Sequence, residues 1–387
     1  MAELKEVIKD NAARIKKDRE ELHKIPEVAF TEEKTAAYVA DCLKEMGLLV
    51  REKVAKTGVV GLVEGEIPGK TVMIRADMDA LPVKEETGLS FASTHEGVMH
   101  ACGHDCHMAM ALGAARVLTG MREKIKGQVK FVFQPAEEFP GGAKPMMEEG
   151  VLKDPPVDYA LGCHVWPGAL SGTVSVAPGP VMAAMDRFDI KVIGKGGHGA
   201  LPHTCIDPVD TASQVISALQ RITSRHMSPL SPTVVTIGQI KGGTAFNVIA
   251  DQVEMAGTTR TFDRDIWKSW PERLEKVVKG VCESMGASYG FDFSPGYPPT
   301  INDAAITELV GKCAAQVVGQ DQVLEFEPTM GGEDMSYFLE KVPGCFFFLG
   351  AGYPGVAPLH NAGFAPRPEI LPLGTELFVR AALDLLA

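Results

Sequence analysis

The chain has 387 residues, 45% of them hydrophobic and 23% charged, with a formal net charge of -12. That length is generous for one hydrophobic core and suits two domains. The acidic balance argues against nucleic acid or an anionic membrane as partner, and no apolar run is long enough to span a bilayer.

The opening Met1-Ala2-Glu3-Leu4-Lys5-Glu6 carries charge where a secretory leader needs an apolar core, so a cytoplasmic location is expected. Leu4 to Leu48 shows helix-period apolar spacing, broken at Ile25-Pro26-Glu27. Strand-like runs follow at Val59–Val63 and Thr71–Arg75, the second leading into Asp77-Met78-Asp79. From Asp105 the spacing turns helical through Leu118, and Val129–Phe133 and Tyr159–Cys163 read as buried strands. This alternation predicts an α/β domain whose mostly parallel sheet has helices on both faces, with ligands gathering beyond the strands' carboxyl ends.

A different texture starts near Met185. A strand at Arg187–Gly194, a helix at Asp207–Arg225 and strands at Thr233–Lys241 and Asp251–Phe262 are followed by a helix at Asp265–Met285 and a strand at Ala287–Phe293. The β-α-β-β-α-β order is ferredoxin-like. A Pro- and Gly-rich hinge at Pro295–Pro299 then leads to a helix at Ala304–Val318, a strand at Cys345–Leu349 and a closing helix at Thr375–Leu386. A catalytic domain of residues 1–184 and 298–387 is therefore expected, interrupted by an α+β domain of residues 185–297.

Potential metal ligands are scattered but fall mainly after strand-like runs: Cys102 and His104, Glu138, His164 and, much later, His360. Cysteine and histidine suit zinc, while carboxylate and histidine also suit manganese or cobalt. Two cations about 3.5–4 Å apart can activate water and polarise a carbonyl together. Glu137, beside Glu138, supplies the carboxylate a general base needs. Glu138 and His164 are expected to approach from neighbouring strands, and Asp77 and Asp79 to orient an imidazole through its other nitrogen. His100 and His107 flank the cluster without an assigned role. The other cysteines, Cys42 and Cys282 among them, read as reduced, buried apolar residues. In the interrupting segment Lys195-Gly196-Gly197-His198, Asn247 and Arg260 together offer donors for an oxyanion and a carboxylate.

At these motifs the chain resembles the di-metal amidohydrolases: hippurate hydrolases, N-acyl-amino-acid amidohydrolases and plant auxin-conjugate hydrolases, a branch of the aminoacylase and glutamate-carboxypeptidase superfamily. The likeness runs from about His23 onward through Arg75-Ala76-Asp77-Met78-Asp79-Ala80-Leu81-Pro82, Cys102/His104 and Gln134-Pro135-Ala136-Glu137-Glu138. It continues through Lys195-Gly196-Gly197-His198, Gly331-Gly332-Glu333-Asp334 and Leu359-His360-Asn361. The resemblance implies two divalent metals per subunit, zinc or manganese with cobalt or nickel as alternatives, held by Cys102, His104, Glu138, His164 and His360 with Cys102 bridging. It implies Glu137 as base and then acid, and His198, Asn247 and Arg260 as substrate contacts on a domain that serves as lid and dimer surface. Ala250 departs from the pattern, which has proline after Asn-Val-Ile.

The expected reaction is hydrolysis of an N-acyl amino acid, hippurate-like or N-acetylated, by a homodimer or larger homo-oligomer. Dipeptides or N-acetyl-diaminopimelate are alternative substrates for the same site. A silent small-molecule binder on the same scaffold is the rival from another class.

Overall fold

The structure is a computed structural model and describes residues 2–387. Two compact units emerge, one of residues up to Val181 with Ile301–Glu327 and Asp334–Ala387, the other of Met182–Thr300 with Pro328–Glu333.

The first unit is built on an eight-stranded mixed sheet. From edge to edge its strands are Leu49–Val54, Gly58–Glu64, Lys126–Gln134, Ile67–Asp77, Tyr159–Leu170, Gly344–Gly352, Val174–Val176 and Val323–Glu325. The four central strands are mutually parallel, while Gly58–Glu64 and Val174–Val176 attach antiparallel on either side. Alternation along the strands sorts the two faces. Val72, Ile74 and Ala76 join Phe131, Phe133, Phe347 and Leu349 in one buried cluster with the helices Ala2–His23, His104–Thr119 and Leu371–Leu386. The opposite face is closed by shorter pieces: Leu339 of the helix Ser336–Leu339 lies over Gly344, and Met146 of the helix Ala143–Glu148 lies over Gly58. The helix break at Pro26 has a second cause besides the ring. Glu27 Oε2 accepts the backbone N–H groups of Lys34 and Thr35, 2.9 Å each, and so starts the next helix, Glu33–Glu45.

The second unit carries a four-stranded antiparallel sheet ordered Thr233–Gly242, Gln252–Thr261, Ala184–Ile193 and Ser288–Tyr297. Numbering these strands by their order in the chain gives 2-3-1-4, the ferredoxin-like arrangement. Its helices Pro208–Arg221 and Arg264–Ser284 begin where Asp207 and Asp263 accept the orphan N–H groups of the first turn. Their buried faces, among them Val215, Leu219, Trp270 and Leu274, pack on Phe188, Ile190, Val253 and Met255 of the sheet.

Helix His104–Thr119 is buried along almost its whole length, so its polar first turn needs partners. Arg19 Nε donates to Asp105 Oδ2 at 2.9 Å, and His23 places Nδ1 2.9 Å from the same oxygen and Nε2 3.3 Å from Glu85 Oε1. Burial works against charge on His23, but Asp105 and Glu85 outweigh it and raise the pKa from 6.5 to about 9. The imidazolium therefore stabilises the fold fully below the unfolded value, and the contribution fades as pH rises through the folded one. Urea midpoints at about pH 6 and about pH 10 are expected to differ in the parent protein, with a His23→Gln variant showing a smaller difference.

Candidate metal centre

Cys102 and His104 bracket Gly103, which has φ +88° at the entry to the helix His104–Thr119. A Cβ there would stand 2.5 Å from Val165 Cγ2, so only glycine lets the chain turn this tightly against the strand. His104 donates its Nδ1–H to the Asp79 carbonyl at 2.8 Å. His164 donates its Nδ1–H to the Val165 carbonyl at 2.8 Å. Carbonyls only accept, so both rings are fixed as the tautomer with a free Nε2 lone pair, the form a metal ligand requires.

His164 sits inside the strand Tyr159–Leu170 rather than beyond a strand ending at Cys163. The sheet splits there: pairing with Ile67–Asp77 stops at Arg75 opposite Gly162, whereas pairing with Gly344–Gly352 continues past Gly350 opposite Trp166 and, after a register shift, to Gly352 opposite Leu170. The strands bearing Glu138 and His164 are also not neighbours, because Ile67–Asp77 runs between them. Glu138 follows the strand Lys126–Gln134 in a turn where Asp79 accepts two consecutive backbone N–H groups. Oδ1 takes that of Glu137 at 2.8 Å and Oδ2 that of Glu138 at 3.0 Å. His360 has a left-handed backbone, φ +62°, and its N–H donates to the Ala101 carbonyl at 2.9 Å, tying it to the Cys102 segment.

The five side chains meet. Cys102, His104 and His164 offer ligand atoms within 4.8 Å of one another, and so do Cys102, Glu138 and His360. Cys102 belongs to both groups, with its Sγ 3.3 Å from His164 Nε2. His360 Nε2 lies 3.0 Å from Glu138 Oε1, yet that oxygen and His104 Nε2 are buried without a hydrogen bond. Orphaned buried atoms cost about 1–3 kcal/mol each; here they converge on one spot. Glu137 Oε2 is 3.9 Å from His104 Nε2, and the residue is 6% exposed.

The electrostatics fit cations. Burial works against charge on His104, but Asp77, Asp79 and Glu138 override it and raise its pKa to about 10, so the surroundings of Nε2 favour positive charge, which a metal cation there would supply. Burial and the adjacent Glu138 and Glu137 push the Cys102 thiol well above its ordinary range. A bound divalent ion reverses that preference and takes the thiolate. His164 is held neutral, chiefly by burial and by the neighbouring His107. The donor set of thiolate, imidazoles and carboxylates therefore suits a pair of divalent metals.

Asp77 and Asp79 act differently from the sequence expectation. Asp77 Oδ1 accepts from His107 Nδ1 at 2.6 Å and Oδ2 from Arg75 Nη1 at 2.7 Å, and it reaches His104 Nε2 only at 3.9 Å. His107 Nε2 in turn accepts the Val165 N–H at 2.9 Å. With every atom so engaged, Asp77 and His107 form a hydrogen-bonded support under His164 rather than a third ligand group. Asp79 orients His104 through its carbonyl, because its carboxylate is occupied by the Glu137 and Glu138 amides. Sequence reading also missed the buried extension of this support. Arg75 donates to Gln134 and to Asp334, and Gln134 and the Ala143 N–H donate to Asp334 as well. The Gly331–Asp334 motif hinted only at a turn.

His198, Asn247 and Arg260 all belong to the second unit. Gly197–His198 pairs antiparallel with Val248–Ile249, and Gly199 donates to the Asn247 carbonyl at 2.9 Å, so alanine at position 250 leaves this pairing intact. His198 Nδ1 accepts the Ala200 N–H at 3.1 Å, which leaves the hydrogen of the neutral ring on Nε2. Arg260 is half-buried, with Nε donating to the Met330 carbonyl and Nη1 to Thr258 and Thr259.

Comparison with known proteins agrees with this arrangement. The model of peptidase family M20/M25/M40 matches residues 73–384. The N-acyl-L-amino acid amidohydrolase of Geobacillus stearothermophilus is 47% identical over 77% of this chain and 81% of its own. The N-acetyl-L-cysteine deacetylase of Bacillus subtilis is 43% identical over 86% and 79%. The solved Bacillus subtilis YxeP protein, described as a dinuclear metal binding peptidase from the M20 family, superposes with a TM-score of 0.85 at 36% identity, covering 98% of this chain and 99% of that one. The chain belongs to peptidase family M20/M25/M40.

Proposed function

We propose that this protein hydrolyses the amide bond of N-acyl amino acids, giving a carboxylic acid and a free amino acid. The observation that carries the reading is the pair of ligand groups sharing Cys102, with the Glu137 carboxylate beside them. Relatives named for N-acyl amino acid and N-acetylcysteine substrates point to the same substrate class. Cys102, His104, Glu138, His164 and His360 are the proposed ligands, with Cys102 bridging. Two divalent cations held there, zinc or manganese, or else cobalt or nickel, would polarise the acyl carbonyl and acidify the attacking water.

Glu137 does the proton work. Its buried carboxylate takes a proton from the water as the new C–O bond forms, then gives it to the nitrogen as the C–N bond breaks. His198, with its hydrogen on Nε2, suits donation to the acyl oxygen; Arg260 and Asn247 suit the substrate carboxylate and amide. The second unit is proposed as lid and dimer surface. Its edge strand Thr233–Gly242, with Ile240 exposed, is an open ladder that a second copy can cover. No helix among the described residues is long and apolar enough to cross a membrane, and a cytoplasmic location is proposed.

Replacing Glu137 by Gln is expected to lower kcat by about 10²–10⁴-fold while metal analysis still finds two ions per chain. Chelated protein should release no amino acid from N-acetyl or N-benzoyl amino acids, and zinc, manganese, cobalt or nickel should restore release. Turnover of dipeptides or N-acetyl-diaminopimelate alone would redirect the substrate assignment; no turnover of any would sink the hydrolase reading. Sedimentation at working concentration should give twice the chain mass or more, and a monomer would remove the proposed dimer.

A further inference from the structure

Three consecutive backbone N–H groups in the turn that bears the proposed base are each held by a buried carboxylate. Asp79 takes those of Glu137 and Glu138. The third, from Ala136, donates at 2.9 Å to Oε1 of Glu32, a residue 104 positions earlier and fully buried. The other oxygen of Glu32 accepts the Thr57 hydroxyl at 2.6 Å, so both oxygens are fixed. Thr57 itself is buried beside the strand Gly58–Glu64, whose partner Lys126–Gln134 leads into the turn.

Two details indicate that Glu32 is placed for this contact rather than for its own helix. It occupies the N-cap position of Glu33–Glu45 yet makes no side-chain cap, a task Glu27 performs instead. Its partner Ala136 has φ +56°, a left-handed conformation that a residue with a Cβ rarely adopts and that costs of the order of 1 kcal/mol. The hydrogen bond that the Ala136 N–H donates to Glu32 anchors that conformation, and the next residue is Glu137. The Ala136 carbonyl closes the other side of the turn by accepting the Gly141 N–H at 3.0 Å.

We propose that Glu32 is a positioning residue for Glu137, locking the Ala136 turn so that the base carboxylate meets the attacking water. The inference rests on the hydrolase reading given above. A carboxylate that wanders by about 1 Å loses on the order of 10²-fold in rate, and the substrate contacts assigned to the second unit do not depend on Glu32. The signature is therefore a loss in kcat with KM nearly unchanged.

The test compares variants of the metal-loaded protein on an N-acetyl amino acid, with metal content and melting temperature measured alongside. Glu32→Ala is expected to lower kcat about 10–100-fold, with KM within about threefold and two metals retained. Glu32→Gln should recover most of the rate, because its carbonyl accepts the Ala136 N–H and its amide donates to Thr57 Oγ1. Glu27→Ala, which uncaps the same helix, should lower the melting temperature without the kcat loss. On the Glu137→Gln background, Glu32→Ala should cost nothing further. Unchanged kcat in Glu32→Ala, an equal kcat loss in Glu27→Ala, or no recovery by Gln overturns the assignment. If Glu32→Ala does not fold, Thr57→Val, which frees one carboxylate oxygen, decides: a kcat fall of about 3–10-fold supports it and no fall overturns it. Near-normal turnover of Glu137→Gln overturns the base reading and this inference together, whereas its loss with none in Glu32→Ala overturns this inference alone.

Discussion

Asp79 is the side chain on which the metal centre turns. Its carboxylate grips two successive amides of the turn carrying Glu137 and Glu138, and its own carbonyl selects the tautomer of His104. One buried residue thus fixes a proposed base, a proposed carboxylate ligand and a proposed imidazole ligand relative to one another. Without it, the turn would have two orphan backbone donors in a buried site. In turn the two amides stabilise the Asp79 carboxylate in its buried position.

The sheet makes the meeting possible by dividing at its carboxyl edge. His164 lies just past the gap where Ile67–Asp77 parts from Tyr159–Leu170, and the Glu137–Glu138 turn follows Lys126–Gln134, the strand on the other flank of Ile67–Asp77. The floor of that gap is the chain of Asp77, His107, Arg75, Gln134 and Asp334, a charged network in which the named oxygens of Asp77 and Asp334 have donors. Such a network is costly when incomplete and stiff when complete. Here it is well supplied with partners, and the proposed ligands beside it gain a stiff support.

Much of this was legible from residue order. Apolar period marked the long helices and central strands, because each buries one face or both. The Cys102/His104 pair stood out because its residue types have few roles other than ligation at such spacing. The unreadable parts share a physical cause. Val174–Val176 and Val323–Glu325 are too short to show a period, and their pairing depends on each other across the chain. The continuation of Tyr159–Leu170 past His164 is decided by its partner strand. The exchange of roles within Asp79, carbonyl for imidazole and carboxylate for amides, depends on backbone geometry that side-chain identity does not encode. Glu32 gives no local signal at all, since an acidic residue at a helix start ordinarily serves that helix.

The tight passage at Gly103 also bears on how such a chain can diverge. Its positive φ excludes most residues, and the space a β-carbon would occupy is already filled by Val165, whose amide is bound to His107. Drift at position 103 is therefore confined by a neighbour 62 residues away in the sequence, and a lineage that trades glycine for alanine must first find a smaller residue at 165. One steric contact thus couples the entry to a helix with the side-chain size tolerated on a strand far along the chain.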